Sequence, residues 1–166
     1  MKTDALQPRV AYIGLGANLG DPPAQLRAAL HGIAAFGRIV ATSPFYRSAP
    51  MGPADQPAFC NAACRLDTSL APEALMQGLL DIEQRMGRQR SVKWGPRTID
   101  LDLLHVDGQQ CASDRLTLPH PGIAQRNFVL APLLDVAEAD LRIPGLPPLD
   151  RALQAIGRDG LELWRD

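Results

Sequence analysis

Strand-like and helix-like segments follow one another in the order β-α-β-β-α-β over the first two-thirds of the chain. This order predicts an α+β fold: a ferredoxin-like βαββαβ antiparallel sheet with helices on one face, plus C-terminal additions. Two observations carry the expectation. Apolar, β-branched runs end at glycines or turn residues, and between them lie apolar stripes with helical spacing. At 166 residues the chain has the length of one domain, which we read as 1–166 with a core from about 9 to 157.

Residues 9–15 (RVAYIGL) read as a buried strand. Asp21-Pro22-Pro23 marks a helix start, with Asp as N-cap and Pro in the first turn. Leu26, Leu30 and Ile33 continue that helix to about Phe36, and Gly37 ends it. Ile39 to Tyr46 is the second expected strand, and residues 47–57 (RSAPMGPADQP) are an expected loop. In the third strand, Ala58 to Asp67, alternation puts Phe59, Asn61, Ala63 and Arg65 on one face and Cys60, Ala62, Cys64 and Leu66 on the other. Pro72 opens a second helix whose apolar stripe is Leu75, Leu79, Ile82 and Met86, ending near Gly87. A second loop covers 87–98, and Ile99 to Val106 is the fourth strand before an Asp107-Gly108 turn. Beyond it we expect a short strand near 116–118, helices near 122–131 and 149–157, and a frayed end.

Composition excludes several classes. The 17 basic and 18 acidic residues give a formal net charge of −1, with no bulk attraction for nucleic acid or an anionic membrane. No run approaches the ~20 apolar residues of a membrane span. The polar N-terminus lacks the apolar core of a secretory signal. Cys60, Cys64 and Cys111 contain no CxxC pair, which fits a reducing, cytoplasmic location and small-residue packing. The 14 glycines and 15 prolines exceed ordinary usage, roughly 7% and 5%, and many fall in the two loops.

Four segments can carry chemistry. Gly14-Leu15-Gly16-Ala17-Asn18-Leu19-Gly20 sits between a strand and a helix, where glycines let a flat ligand approach the backbone. Its spacing fails the dinucleotide fingerprint by one residue, and no acidic residue follows about 20 positions later. Asp100 and Asp102 lie at i and i+2 of a strand, on one face and roughly 6–7 Å apart at Cα. Their charges repel by about 2–3 kcal/mol at an effective dielectric of 20, and a divalent cation shared with substrate phosphates offsets that cost economically. From Arg85 to Arg97 the chain carries Arg85, Arg88, Arg90, Lys93 and Arg97 without one acid. Guanidinium forks match phosphate oxygens, and Trp94-Gly95-Pro96 supplies an aromatic on a hinge. Finally, Pro119-His120-Pro121 holds a histidine between prolines, followed by Arg126 and Phe128. His31 and His105 have no such context and read as structural.

At these residues the sequence resembles the 6-hydroxymethyl-7,8-dihydropterin pyrophosphokinase family of folate biosynthesis. The matching pieces are YIGLGANLG (12–20), SPFYR (43–47), GPADQP (52–57), Asn61-Ala62, Gly87-Arg88, WGPRTIDLDL (94–103), and Pro119-His120 with Arg126 and Phe128. The resemblance implies transfer of pyrophosphate as one unit from ATP to the hydroxymethyl group of a reduced pterin, releasing AMP. It implies two Mg2+ ions bridged by Asp100 and Asp102, with Arg88 and Arg97 also catalytic. ATP would meet Glu83, Arg88, Arg90, Trp94, Arg97, His120 and Arg126. The pterin would lie between Phe59 and Phe128, hydrogen-bonded by Asn61 and aided by Gly16, Ser48, Met51 and Asp100. Loops 47–57 and 87–98 would act as lids. The chain departs from the family pattern at Ala17, Phe59 and Pro121, and its basic loop is about one residue shorter than the longer versions. We expect a monomer with ATP and a reduced pterin as its small-molecule partners, and neither nucleic acid nor membrane. The alternative is a non-catalytic ferredoxin-like nucleotide- or RNA-binding module. An RNA reader gains nothing from two carboxylates beside its basic loop, and aromatic residues are only 5% of the chain.

Overall fold

A computed structural model describes residues 8–49, 56–87 and 98–165. Strand β1 (Arg9–Ala17) leads to helix α1 (Pro22–Ile33), which closes with a 3-10 turn at Ala34–Phe36. The Asp21 carboxylate accepts from the Ala24 N–H at 3.2 Å, so the expected N-cap forms. Next come β2 (Arg38–Thr42), β3 (Tyr46–Ser48), β4 (Phe59–Thr68), α2 (Pro72–Arg85) and β5 (Asp100–Val106). The short pair β6 (Cys111–Ala112) and β7 (Thr117–Leu118) precedes a 3-10 turn at Ile123–Gln125, α3 (Asn127–Val136), α4 (Leu149–Ile156) and β8 (Leu161–Leu163).

The main sheet runs β5-β1-β4-β3-β8, with β2 also on β4, and every pairing is antiparallel. β1 and β2 therefore run parallel with β4 between them. Helices α1 and α2 cover one face, where Ile13, Leu15, Cys60, Cys64, Leu101 and Leu103 meet Leu26, Leu75 and Leu79. Burial pushes the Cys64 thiol up to about 12, as suits a cysteine used for packing.

The C-terminal additions, whose place the sequence leaves open, cover the other face. On the opposite face Tyr12, Tyr46, Ala63 and Leu104 pack against Leu130, Leu133, Leu153 and other residues of α3 and α4. The reason is visible in β1, where Tyr12 and Ile13 point to opposite faces and both are fully buried. A sheet apolar on both sides needs cover on both. Helix α3 is fastened there by polar contacts. The Tyr46 hydroxyl donates to Asp135, and Arg65 Nη1 donates to the Val136 carbonyl at 2.8 Å.

Four local expectations also change. The strand read as 39–46 is two strands, broken at Ser43-Pro44. Pro44 has no N–H to give the ladder. Ser43 keeps the pairing by donating its N–H to the Ala63 carbonyl at 2.9 Å, while its hydroxyl oxygen accepts from the Ala63 N–H at 3.0 Å. Arg47 and Ser48, read as loop, are strand residues of β3. The frayed end is instead β8, whose register on β3 is Tyr46↔Leu163 and Ser48↔Leu161, with Arg47 lying 4.3 Å over the Trp164 ring. The helix expected at 122–131 begins later, because Arg126 is extended (φ −133) between the 3-10 turn and α3.

Glu83 of α2 is 2% exposed, and its carboxylate accepts the Leu101 N–H at 2.7 Å. Leu101 stands between the two aspartates, so this bond anchors the strand that carries them. Glu83→Ala would leave a buried donor unpaired. It is expected to lower the unfolding free energy by about 1–3 kcal/mol, with Glu83→Gln losing less, as measured by urea denaturation.

Candidate active site

Strand register builds the floor of the site. Asp100, Gly16 and Asn61 form one row across β5, β1 and β4, and Asp102, Gly14 and Ala63 form the next row on the same face. The two aspartates thus share a face, as their spacing predicts. Between them and Asn61 lie only glycines over two strand spacings, about 10 Å. A Cβ on Gly16 would come within 3.1 Å of Asn61 Nδ2, and one on Gly14 within 3.4 Å of Leu104 Cδ1.

Over this floor opens a cavity lined by Gly14, Gly16, Ser48, Phe59, Asn61, Asp100, Asp102, Arg126 and Phe128, among others. Phe59 comes up from β4, while Arg126 and Phe128 descend from the start of α3. The fastening of α3 to β3 and β4 therefore holds an aromatic ring over the glycine floor. Asn61 is 6% exposed, and its Oδ1 accepts from the Ser48 hydroxyl at 2.6 Å.

Asp102 also borders a second cavity, with Met76, Arg115, Leu116, Thr117 and His120. His120 is held by its main chain, whose N–H donates to the Leu104 carbonyl at 2.8 Å. Its Nδ1 accepts from the Gly122 N–H at 3.0 Å. The ring proton therefore sits on Nε2, which lies 3.9 Å from Asp102 Oδ1. Burial lowers the imidazole below its ordinary 6.5, Arg126 lowers it further, and Asp100 opposes. At neutral pH the ring is uncharged.

Of the residues singled out in the sequence, the structure brings together Gly16, Ser48, Phe59, Asn61, Asp100, Asp102, Arg126 and Phe128. His120 joins them across Asp102. Glu83 lies beneath β5 and is not among the residues lining either cavity. Met51, Arg88, Arg90, Trp94 and Arg97, and with them most of the two proposed lids, lie outside the described residues. Sequence reasoning missed Leu104, Val129 and Arg115. Leu104 was findable from strand alternation, two residues beyond Asp102. Arg115 was not, because nothing local ties it to β5.

An aromatic-lined cavity sharing its floor with two carboxylates is the geometry of a small-molecule site. Comparison with known proteins gives the family of the chain. Residues 12–138 match the model of the 7,8-dihydro-6-hydroxymethylpterin-pyrophosphokinase (HPPK) family, and the chain belongs to that family. It is 46% identical over 153 residues to the 2-amino-4-hydroxy-6-hydroxymethyldihydropteridine pyrophosphokinase of Pseudomonas aeruginosa, covering 91% of this chain and 94% of that one. The Methylorubrum extorquens protein of the same description is 44% identical, covering 92% and 96%. Among solved structures, a HPPK-DHPS in complex with substrates superposes with a TM-score of 0.71 at 13% identity, over 94% of this chain and 47% of that one. Plasmodium falciparum HPPK-DHPS gives 0.67 at 12% identity, over 90% and 43%. The chain thus spans less than half of these two-part proteins, and the likeness concerns the fold.

At the far end of β5 lies a second buried histidine. His105 is 2% exposed, stacks on Tyr12 with ring centroids 6.2 Å apart, and its Nε2 is 3.2 Å from Asp107 Oδ1. Among the described residues its Nδ1 is the one buried side-chain polar atom without a hydrogen-bond partner. Burial lowers its imidazole too, against the pull of Asp107. Both lowered histidines bind protons less readily in the folded chain than in the unfolded one. Their contribution to stability is complete above about pH 6.5 and is lost as pH falls through the lowered folded values. Urea denaturation is expected to show stability falling from pH 7.5 to 5.5. His105→Phe, which keeps the stacked ring and removes the titration, should flatten that fall.

Proposed function

We propose that the glycine-floored cavity holds the reduced pterin and that Asp100 and Asp102 hold Mg2+ on the triphosphate of ATP. As a member of its family the chain is an ATP-dependent pyrophosphokinase, which transfers pyrophosphate from ATP to 6-hydroxymethyl-7,8-dihydropterin in folate biosynthesis. The observation that carries the placement is the shared floor: a flat slot and a carboxylate pair on adjacent strands of one face.

The donor set fits magnesium. Among the described residues no group of three or more His, Cys, Asp or Glu side chains is placed to hold a metal ion, so an all-protein cage is disfavoured. Magnesium commonly uses one or two carboxylates and completes its shell with water and substrate phosphates. Two ions shared by Asp100 and Asp102 are part of this reading. When bound, they neutralise phosphate charge and ease loss of the pterin hydroxyl proton.

The chain's own groups then position the reactants. Phe59 and Phe128 stack on the two faces of the pterin, Asn61 hydrogen-bonds its edge, and backbone near Gly16, Ser48 and Met51 assists. Arg126 and His120 meet the nucleotide from the Asp102 side, joined by Arg88, Arg90, Trp94 and Arg97. The guanidinium groups orient the β-phosphorus in line with the hydroxyl and stabilise charge on the transferred group. Glu83 acts in the same region by holding β5. The strand order β5-β1-β4 with β2 beyond supports the ferredoxin-like reading. No described helix is long and apolar enough to cross a membrane. We read the protein as a cytoplasmic monomer with ATP and the pterin as its partners.

Incubation with ATP, Mg2+ and 6-hydroxymethyl-7,8-dihydropterin, followed by identification of the adenine nucleotide, tests the reaction. AMP is expected; ADP would indicate single-phosphate transfer, and unchanged ATP a binding module. Asp100→Ala and Asp102→Ala should each reduce turnover by about 10²-fold or more while folding normally by circular dichroism. Near-normal rates in both would remove the metal assignment.

A further inference from the structure

The amide of Asn61 can present either of two chemistries to the cavity. Its oxygen and its NH2 have nearly the same shape, so packing alone does not choose between them. The choice is made by Ser48. The two residues lie on one face of the β3–β4 pair, Ser48 opposite Phe59 and Asn61 opposite Tyr46. Both are buried, and the Ser48 hydroxyl donates to Asn61 Oδ1 at 2.6 Å. Among the described residues that hydroxyl donates to no other acceptor. Turning the amide over would make Ser48 an acceptor and leave its proton without an acceptor among the described residues. Asn61 Nδ2 lies instead over the Gly16 floor, where it has no protein partner among the described residues.

We propose that Ser48 is a specificity-positioning residue. By holding Asn61 Oδ1 it fixes the NH2 toward the cavity, so that the site selects a pterin edge presenting an acceptor, the ring carbonyl, over one presenting a donor, an amino group. β3 is suited to this task. Though only Tyr46–Ser48, it is bonded on one side to β4 and on the other to β8, which holds the Ser48 backbone in place. The proposal rests on the pterin reading of the cavity.

The test compares kcat and KM for 6-hydroxymethyl-7,8-dihydropterin and its 2,4-diamino counterpart, with ATP and Mg2+, in the wild type, S48A and S48T. The wild type is expected to prefer the carbonyl compound by about 10²-fold or more in kcat/KM. S48A should lose about tenfold of that preference, chiefly through KM, and S48T, which keeps the hydroxyl, should recover it. An undiminished preference in S48A overturns the proposal. Equal losses in S48A and S48T overturn it too, since they report packing rather than the hydroxyl. Asn61→Asp, which replaces the donor by an acceptor, gives a check that does not depend on S48A folding. It should favour the diamino compound, and an unchanged order of preference counts against the proposal. A wild type that uses neither compound overturns the pterin reading itself, and this inference with it.

Discussion

The missing side chains at Gly14 and Gly16 are the constraint on which the site depends. A strand at the centre of a sheet ordinarily projects a side chain from every second residue on each face. Here one face of β1 goes bare for two successive positions, while the other face keeps Ile13 and Leu15 in the core. The bare stretch lies between the carboxylates of β5 and the amide of β4. Any Cβ at Gly16 would crowd Asn61, the group that defines the far side of the slot. The backbone itself is thereby the surface on which a planar ring can lie.

What surrounds that surface follows from covering it. With both faces of the sheet apolar, the chain after β5 must return across the open face, and it does so as α3. The helix could not cover the glycines completely without filling the slot. Its extended Arg126 and first residue Asn127 let Phe128 reach over the floor, while the body of the helix is bonded to β3 and β4 farther along. Packing of the second core and placement of the upper aromatic are thus one event.

Much of this was legible in the sequence. Alternation alone put Phe59 and Asn61 on one side of β4 and the cysteines on the other, and the i, i+2 rule put Asp100 and Asp102 together. The glycine run signalled a close backbone approach. What stayed hidden was long-range. Nothing near Ser48 announces a strand, because prolines surround it and its partners are β4 and a segment more than a hundred residues away. The polar tail from Gly157 onward gave no sign of β8, whose pairing depends on β3 being present first. The C-terminal helices were expected but not their place, because short helices near the C-terminus carry no address. Only the double-sided burial of β1 reveals where they go.

The two ends of the sheet show a further consequence. An open strand edge is a row of unpaired peptide groups able to recruit another chain. At β5 that row is occupied from within: the Glu83 carboxylate takes the Leu101 N–H, and the His120 main chain takes the Leu104 carbonyl. At the other side the sheet ends in β2, of five residues, and in β8, a stub of three, both too short to template a long partner. The groups that organise the site at one end, and the strand that braces Ser48 at the other, therefore double as guards against edge-to-edge association.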